Sequence, residues 1–446
     1  MTMRKGWLMA VLAIGVLPAL AGCGADEWFG EPDAPPLPGT RISVLVHETK
    51  VRPDTGAEKV EIKLPKPEDN TDWAQTGGLS HHAMEHLKIG GAIEKAWSVS
   101  IGSGSSSDDH LVATPVVAEG KVFAMDVRAH LSAFDAATGD RLWRFNLTPD
   151  GEDDAAVRGG GMAYENGILF ASTGLGEVWA IQASSGNFYW KTHLDAPVRA
   201  APTVYGGRVF AVTASNKVVA LNVRNGKKLW EYIGPEEPSG LLGAASPAAD
   251  HGVLVVAMRS GALAALRVES GTLLWEDTLA SGRRASGLSV LSDIKAPPVI
   301  ADGRVYAIGN GGLVAAIDLR TGGRVWEKDF GGVDLPWLAG NYLFVLTNAN
   351  ELVALEADRG RVLWATPLSI WKNRKEHTGR IVWSGPILAS DRLLLVGSNG
   401  FVLSVSPYTG KVLGYAKMSD GVTVPPVAAG GTVYFLTDDA DLVAYR

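Results

Sequence analysis

The chain has 446 residues, 46% of them hydrophobic and 53 of them glycine, with a formal net charge of −7. Of its 41 basic residues, Arg4 and Lys5 lie in an apolar leader; the remaining 39 face 48 acidic residues, which excludes the polybasic surface that a nucleic-acid partner requires. The only cysteine is Cys23, which excludes an internal disulfide and a cysteine-based metal site.

In chain order, residues 1–22 read as a signal peptide: two cations, the apolar run Trp7 to Leu20, then Leu20-Ala21-Gly22-Cys23. The small residues before Cys23 resemble a bacterial lipobox. That resemblance implies lipidation at Cys23, with several acyl chains anchoring where one would bind only reversibly. Gly24 rather than Asp follows the cysteine, which implies the periplasmic face of the cell outer membrane as the location. Residues 23–70 carry Pro32, Pro35, Pro36, Pro38, Pro53, Pro65 and Pro67 among charges, and are expected to form a tether with partial order at best.

From residue 71 to 446 one spacing recurs: a small residue, Gly six places on and Trp ten places on. The sets are Ala133/Gly139/Trp143, Ala180/Gly186/Trp190, Ala220/Gly226/Trp230, Ala265/Gly271/Trp275, Ala316/Gly322/Trp326 and Ala354/Gly360/Trp364. Ser404/Gly410 starts a seventh set whose end is degenerate, with Gly414 and Tyr415 where the Trp belongs. The flanking runs alternate in polarity, so each set predicts a hairpin whose turn needs the positive φ that glycine supplies. A small residue at a fixed offset from a large one predicts interdigitation between successive units. Successive tryptophans from Trp97 to Trp364 are 46, 47, 40, 45, 51 and 38 residues apart. That period is the length of a four-stranded propeller blade.

Eight unit openings, from Thr114-Pro115-Val116 to Pro425-Pro426-Val427, predict an all-β, eight-bladed β-propeller of four-stranded antiparallel blades. The last unit lacks a fourth strand, and Lys95 to Val99 is a fourth strand without a unit. Pairing these N- and C-terminal strands closes the ring and leaves no blade incomplete.

The pattern Ala-x-Asp-x-x-Thr-Gly-x-x-x-Trp at Ala133 to Trp143 resembles the tryptophan-docking repeat of the pyrroloquinoline-quinone (PQQ) propeller superfamily. Within it, the lipobox, the Pro-rich tether, the eight blades and Trp73-Ala74-Gln75-Thr76-Gly77-Gly78 resemble the BamB family, lipoproteins of the β-barrel assembly machinery. The resemblance implies a non-catalytic scaffold that binds the periplasmic domains of BamA and joins the rest of that complex. It also implies assistance to the insertion of outer-membrane proteins, and unfolded outer-membrane clients are a further expected partner. The partner surface it implies lies on the loops Pro238 to Ser246 and Arg283 to Lys295. By the same resemblance Leu241 falls on a contact leucine and Asp293 on the first of two contact acids. Leu242 stands where the family has Arg, Lys295 where it has the second acid, and Arg283 or Arg284 is the expected source of a cation.

Two other functions share the repeat. One is a PQQ-dependent periplasmic dehydrogenase; such enzymes resemble one another in a vicinal disulfide, calcium ligands and a catalytic Asp, and the lone Cys23 argues against that reading, so no cofactor is expected. The other is a scaffold for a different envelope complex. His81, His82 and His86 have a metal-like helical spacing but lack the Glu of a His-Glu-x-x-His site, and packing or exposed polar roles are expected of them rather than metal binding. Residues 372–380 form a basic cluster expected to be a solvated loop, with acidic partners or lipid head groups as the alternative. Ser107-Asp108-Asp109-His110 and Asp153-Asp154 show no catalytic spacing.

Overall fold

Short alternating runs separated by Gly-bearing turns are strand sequences, and they form strands throughout. The computed structural model describes residues 51–90, 94–148, 159–235, 244–279 and 294–446. It contains eight four-stranded antiparallel sheets. Blade 1 consists of Val116–Ala118, Lys121–Met125, His130–Asp135 and Arg141–Asn146, from the inner strand to the outer one. Blades 2 to 7 follow in order, with outer strands Phe188–His193, Lys228–Ile233, Leu273–Thr278, Arg324–Lys328, Val362–Pro367 and Val412–Lys417. The three-residue inner strands are buried, whereas the outer strands alternate between exposed and partly buried residues, as expected where one face packs and the other meets water.

Blade 8 takes Val427–Ala429, Thr432–Leu436 and Asp441–Tyr445 from the end of the chain, and Lys95–Ser100 as its outer strand. Trp97 stands opposite Ala444, and Glu94 and Arg446 exchange backbone hydrogen bonds of 2.7 and 2.9 Å. Arg446 also donates across the seam to the carbonyls of Ala136 and Ala137 in blade 1. The ring therefore closes by pairing of its terminal strands.

Each repeated tryptophan works across a seam. Trp97, Trp143, Trp190, Trp230, Trp275, Trp326 and Trp364 lie against Gly139, Gly186, Gly226, Gly271, Gly322, Gly360 and Gly410 respectively, each glycine belonging to the next blade. These glycines have φ between 68° and 81°, and a Cβ on any of them would come within 2.5–2.9 Å of the indole. Glycine is thus required twice, for the turn and for the ring it must admit. Every one of the seven indole N–H groups donates to a backbone carbonyl of that next blade at 2.8–3.2 Å. The repeated alanine acts differently from the sequence expectation: Ala133 is the cross-strand partner of Trp143 inside its own blade, at a β-bulge, and the glycine carries the interdigitation between units. In six blades a second-strand aromatic completes the layer, as in Phe123–Trp143 and Tyr434–Trp97, with centroids 5.7–6.3 Å apart.

Of the stretch read as a tether, the described part, 51–70, lies along the blades. Asp54 receives a backbone hydrogen bond from Val362 and its N–H donates to the Val362 carbonyl, while its carboxylate meets Lys328 at 2.8 Å. Hydrogen bonding to Lys328 and Val362 N–H overrides partial burial and holds that carboxyl below its ordinary range. Ala57 and Ile62 join the core that covers Leu363. The outer edge of blade 6 is thereby capped by the chain itself.

Three outcomes check this account. Trp364→Ala should lower the unfolding free energy by about 3–5 kcal/mol in urea titrations, because a buried indole and its hydrogen bond are lost together. Gly271→Ala should cost more than about 1 kcal/mol, and more than Gly120→Ala, which has a similar φ but open space for its Cβ. Deleting residues 441–446 should lower the melting temperature of the whole ring in one transition; a separate early transition with the remainder melting normally would refute closure as a global constraint.

Candidate functional site

One face of the ring is organised by a segment that touches all eight blades. Asn70 bonds Ala428 and Gly430 of blade 8, and Trp73 exchanges backbone hydrogen bonds with Val117 of blade 1. Ala74 accepts from Tyr164 of blade 2, and the Gln75 amide both donates to and accepts from Val204 of blade 3. Ser80 accepts from Ala249 of blade 4, His81 from Ile300 of blade 5 and the Glu85 carbonyl from the Trp337 indole of blade 6. Leu87 pairs with Leu388 and Ser390 of blade 7, and Ile89 bridges Gly431 of blade 8. Trp73 also stacks on Trp337, 6.0 Å between centroids. This plug closes the axis. In the sequence Trp73 to Gly78 is legible only as a family feature, because contacts of differing kind to successive blades leave no period.

The three histidines belong to the plug. Both nitrogens of His86 are engaged, Nδ1 donating to Pro65 and Nε2 accepting from Asp391 N–H. His82 is buried, donates from Nδ1 to the Pro298 carbonyl at 2.7 Å, and is pushed down to about 4 by burial. Burial likewise lowers His81 and raises Glu85. Their roles are packing and hydrogen bonding, as a neutral imidazole in a dry site allows.

Above the plug a cavity of about 420 Å³ follows the ring axis, walled by residues such as Leu111, Ala113, Ala201, Pro297, Val424 and Pro426. Its polar members include Arg199, Lys295, His110 and Asp334. The Asp334 side chain reaches the channel's own space but is otherwise surrounded by protein; burial pushes it up to about 6 against the pull of Lys295. A PQQ cofactor on this axis would need calcium ligands and a disulfide beneath it. Among the described residues no three His, Cys, Asp or Glu side chains converge, and the sole cysteine is Cys23. The residues present do not fit that group.

The two loops singled out from sequence leave this same region. Leu241, Leu242, Arg283, Arg284, Asp293 and the lipidation site Cys23 lie outside the described residues, as do Asp153 and Asp154. The feet of the loops are described. The Asn216 side chain donates to the Pro235 carbonyl at 2.6 Å and accepts from Arg259 N–H at 3.1 Å. Leu279, Ala245 and Ile294 are buried at the other attachment points. Between the feet, Arg199, Arg259 and Lys295 line a narrow cleft with no carboxylate among its described walls. Its positive field suits an acidic surface.

Elsewhere, residues 371–380 form a small exposed hairpin, Trp371–Asn373 paired with Thr378–Arg380, instead of a loop; stacking of Trp371 on His377 organises it and leaves its cations at the surface. The Ser106 hydroxyl accepts the backbone N–H groups of Asp108 and Asp109 and so caps their turn.

A family model described as outer membrane protein assembly factor BamB matches residues 127–366. The assembly factor BamB of Yersinia pestis is 26% identical over 357 residues, covering 77% of this chain and 88% of that protein. Among solved structures, BamB from Moraxella catarrhalis superposes with a TM-score of 0.67 at 17% identity, covering 80% of this chain and all of that one. A quinohemoprotein alcohol dehydrogenase from Pseudomonas putida HK5 scores 0.66 at 15% identity, covering 85% and 80%. Likenesses at such identity establish the propeller and nothing about chemistry.

The buried plug carries a pH signature. Because His82 has a folded pKa of about 4 against 6.5 when unfolded, the unfolded chain takes up the proton first as pH falls. Its contribution is present in full above pH 6.5 and is lost as pH approaches 4. In urea titrations the stability gap between wild type and His82→Gln should therefore shrink by roughly 3 kcal/mol from pH 7 to pH 4, other groups being common to both.

Proposed function

The chain belongs to the BamB family of outer membrane protein assembly factors, and we propose that it is a non-catalytic scaffold of the β-barrel assembly machinery at the periplasmic face of the outer membrane. Cys23 is its lipid anchor and BamA its direct partner. The family match over residues 127–366 carries this reading. The geometry supports it physically: two consecutive inter-blade loops spring from buried, hydrogen-bonded feet, so a rigid ring holds them at a fixed spacing. Leu241 and Leu242 supply the apolar part of the contact. Arg283, Arg284 and the cations at the loop feet supply a positive part, complementary to an acidic surface on the insertase, with Asp293 at its margin. Lys295 in place of an acid fits this polarity.

Unfolded outer-membrane clients bind along free outer strand edges. Asp54 shows that such an edge takes polar partners from a passing segment, since its carboxylate accepts the Val362 N–H and its own N–H donates to the Val362 carbonyl.

Affinity purification of the lipidated protein from membranes tests the assignment. BamA should co-purify, and Leu241→Asp combined with Leu242→Asp should reduce the recovered BamA at least about tenfold while leaving the melting temperature unchanged. Lys295→Glu should weaken recovery and flatten its dependence on salt. Recovery of a bound quinone, or of an unrelated envelope complex in place of BamA, would overturn the reading.

A further inference from the structure

Among the described residues, seven of the eight seams are filled by an indole and the seam from blade 7 to blade 8 is not. In the register of blade 7, Gly414 stands opposite Ser404, as Trp364 stands opposite Ala354 in blade 6. At that position a cavity of about 410 Å³ opens between the blades. On the blade 7 side its walls repeat the other docks; blade 8, whose third and fourth strands come from opposite ends of the chain, supplies side chains there in place of a turn glycine. Leu394 sits where Phe344 packs on Trp364, Ser404 takes the place of the small residue, and Phe435 and Tyr445 form the blade 8 side. At the mouth, Leu413 and Tyr415 are 59% and 73% exposed.

We propose that this seam is a docking site for a tryptophan carried on an extended segment of another polypeptide. The occupant is read from the molecule itself, since the same layer of the ring accepts an indole at every other seam. Ser404 adds a hydroxyl that can accept the indole N–H, in place of the carbonyl used elsewhere. The exposed apolar residues of the outer strand Val412–Lys417 give the flanking segment a surface to lie on, and an aromatic anchor in a preformed slot is the pattern of a binding hot spot. Nothing in this inference depends on BamA: the seam involves blades 7 and 8, whereas the loops discussed above leave blades 3 and 4.

The test is fluorescence anisotropy of a labelled ten-residue peptide of alternating serine and valine with one central tryptophan, titrated with the folded protein. Replacing that tryptophan by alanine should weaken binding at least about tenfold. Gly414→Trp should fill the slot from within, raising the melting temperature and weakening the tryptophan peptide by a similar factor. A Cβ at Gly414 meets nothing within 4 Å, and its φ lies outside the left-handed region, so the substitution carries no backbone penalty. Tyr415→Ser, altering only the mouth, should weaken the same peptide without raising the melting temperature. Equal binding of the tryptophan and alanine peptides would overturn the proposal, as would undiminished binding to a thermally stabilised Gly414→Trp. So would self-association of the wild type that Gly414→Trp abolishes and the peptide does not compete, which would make a second copy the occupant.

Discussion

The contact between an indole and a glycine of the next blade is the constraint from which the ring follows. A four-stranded blade alone is a small sheet with two exposed faces, and stability comes from stacking such units on one another. The tryptophan covers the seam, its N–H fixes the height at which it enters, and the glycine turn admits it where any side chain would collide. Blades 1 to 6 each present an indole on one side and a glycine receptor on the other, while blade 7 keeps only the receptor and blade 8 only the indole, a head-to-tail series that starts where the first indole of the chain meets the first receptor. Trp97 on Gly139 is that meeting, and it explains why blade 8 is assembled from both ends of the sequence.

A second constraint acts at the hub. Six of the eight inner strands are only three residues long, and the free polar groups of the inner strands face the axis. The plug answers these groups blade by blade, using backbone at some positions and the Gln75 amide, the His82 ring and the Trp337 indole at others. One face of the ring is consequently committed to structure, which leaves the opposite rim and the outer edges for recognition. Above the plug the axis is an apolar channel with a raised carboxyl and two cations.

Fold and site were unequally legible in the sequence. Blade number, strand order and closure were readable because the docking contact recurs with fixed residue types at fixed offsets. The plug was not, because its contacts join residues from tens to hundreds of positions apart and mix backbone with the Gln75 amide and the Trp337 indole, with no fixed residue type or offset. The packing of residues 51–64 on blade 6 was hidden by proline and charge, which signal a lack of independent structure but not a lack of a surface to lie on. Gly414 was visible as a broken repeat. Its meaning was not, since sequence shows a missing tryptophan and only the geometry shows that none of the described neighbours moves in to replace it. Leu241 and Asp293 rest on family likeness, and the described residues bear on them only through the feet of their loops.

The plug also has a consequence for time. Residues 70–89 precede every blade in the chain, yet their bonds reach partners as far as 358 positions downstream. A chain emerging from its amino terminus makes the hub first and can seat it only last, when all eight inner strands exist. Contacts of that separation slow folding, since the entropy of closing long loops is spent before any of them is rewarded. Until then the part of the plug that meets the later blades, from Ser80 to Ile89, lacks its partners. The most central piece of the molecule is therefore the longest exposed during its assembly.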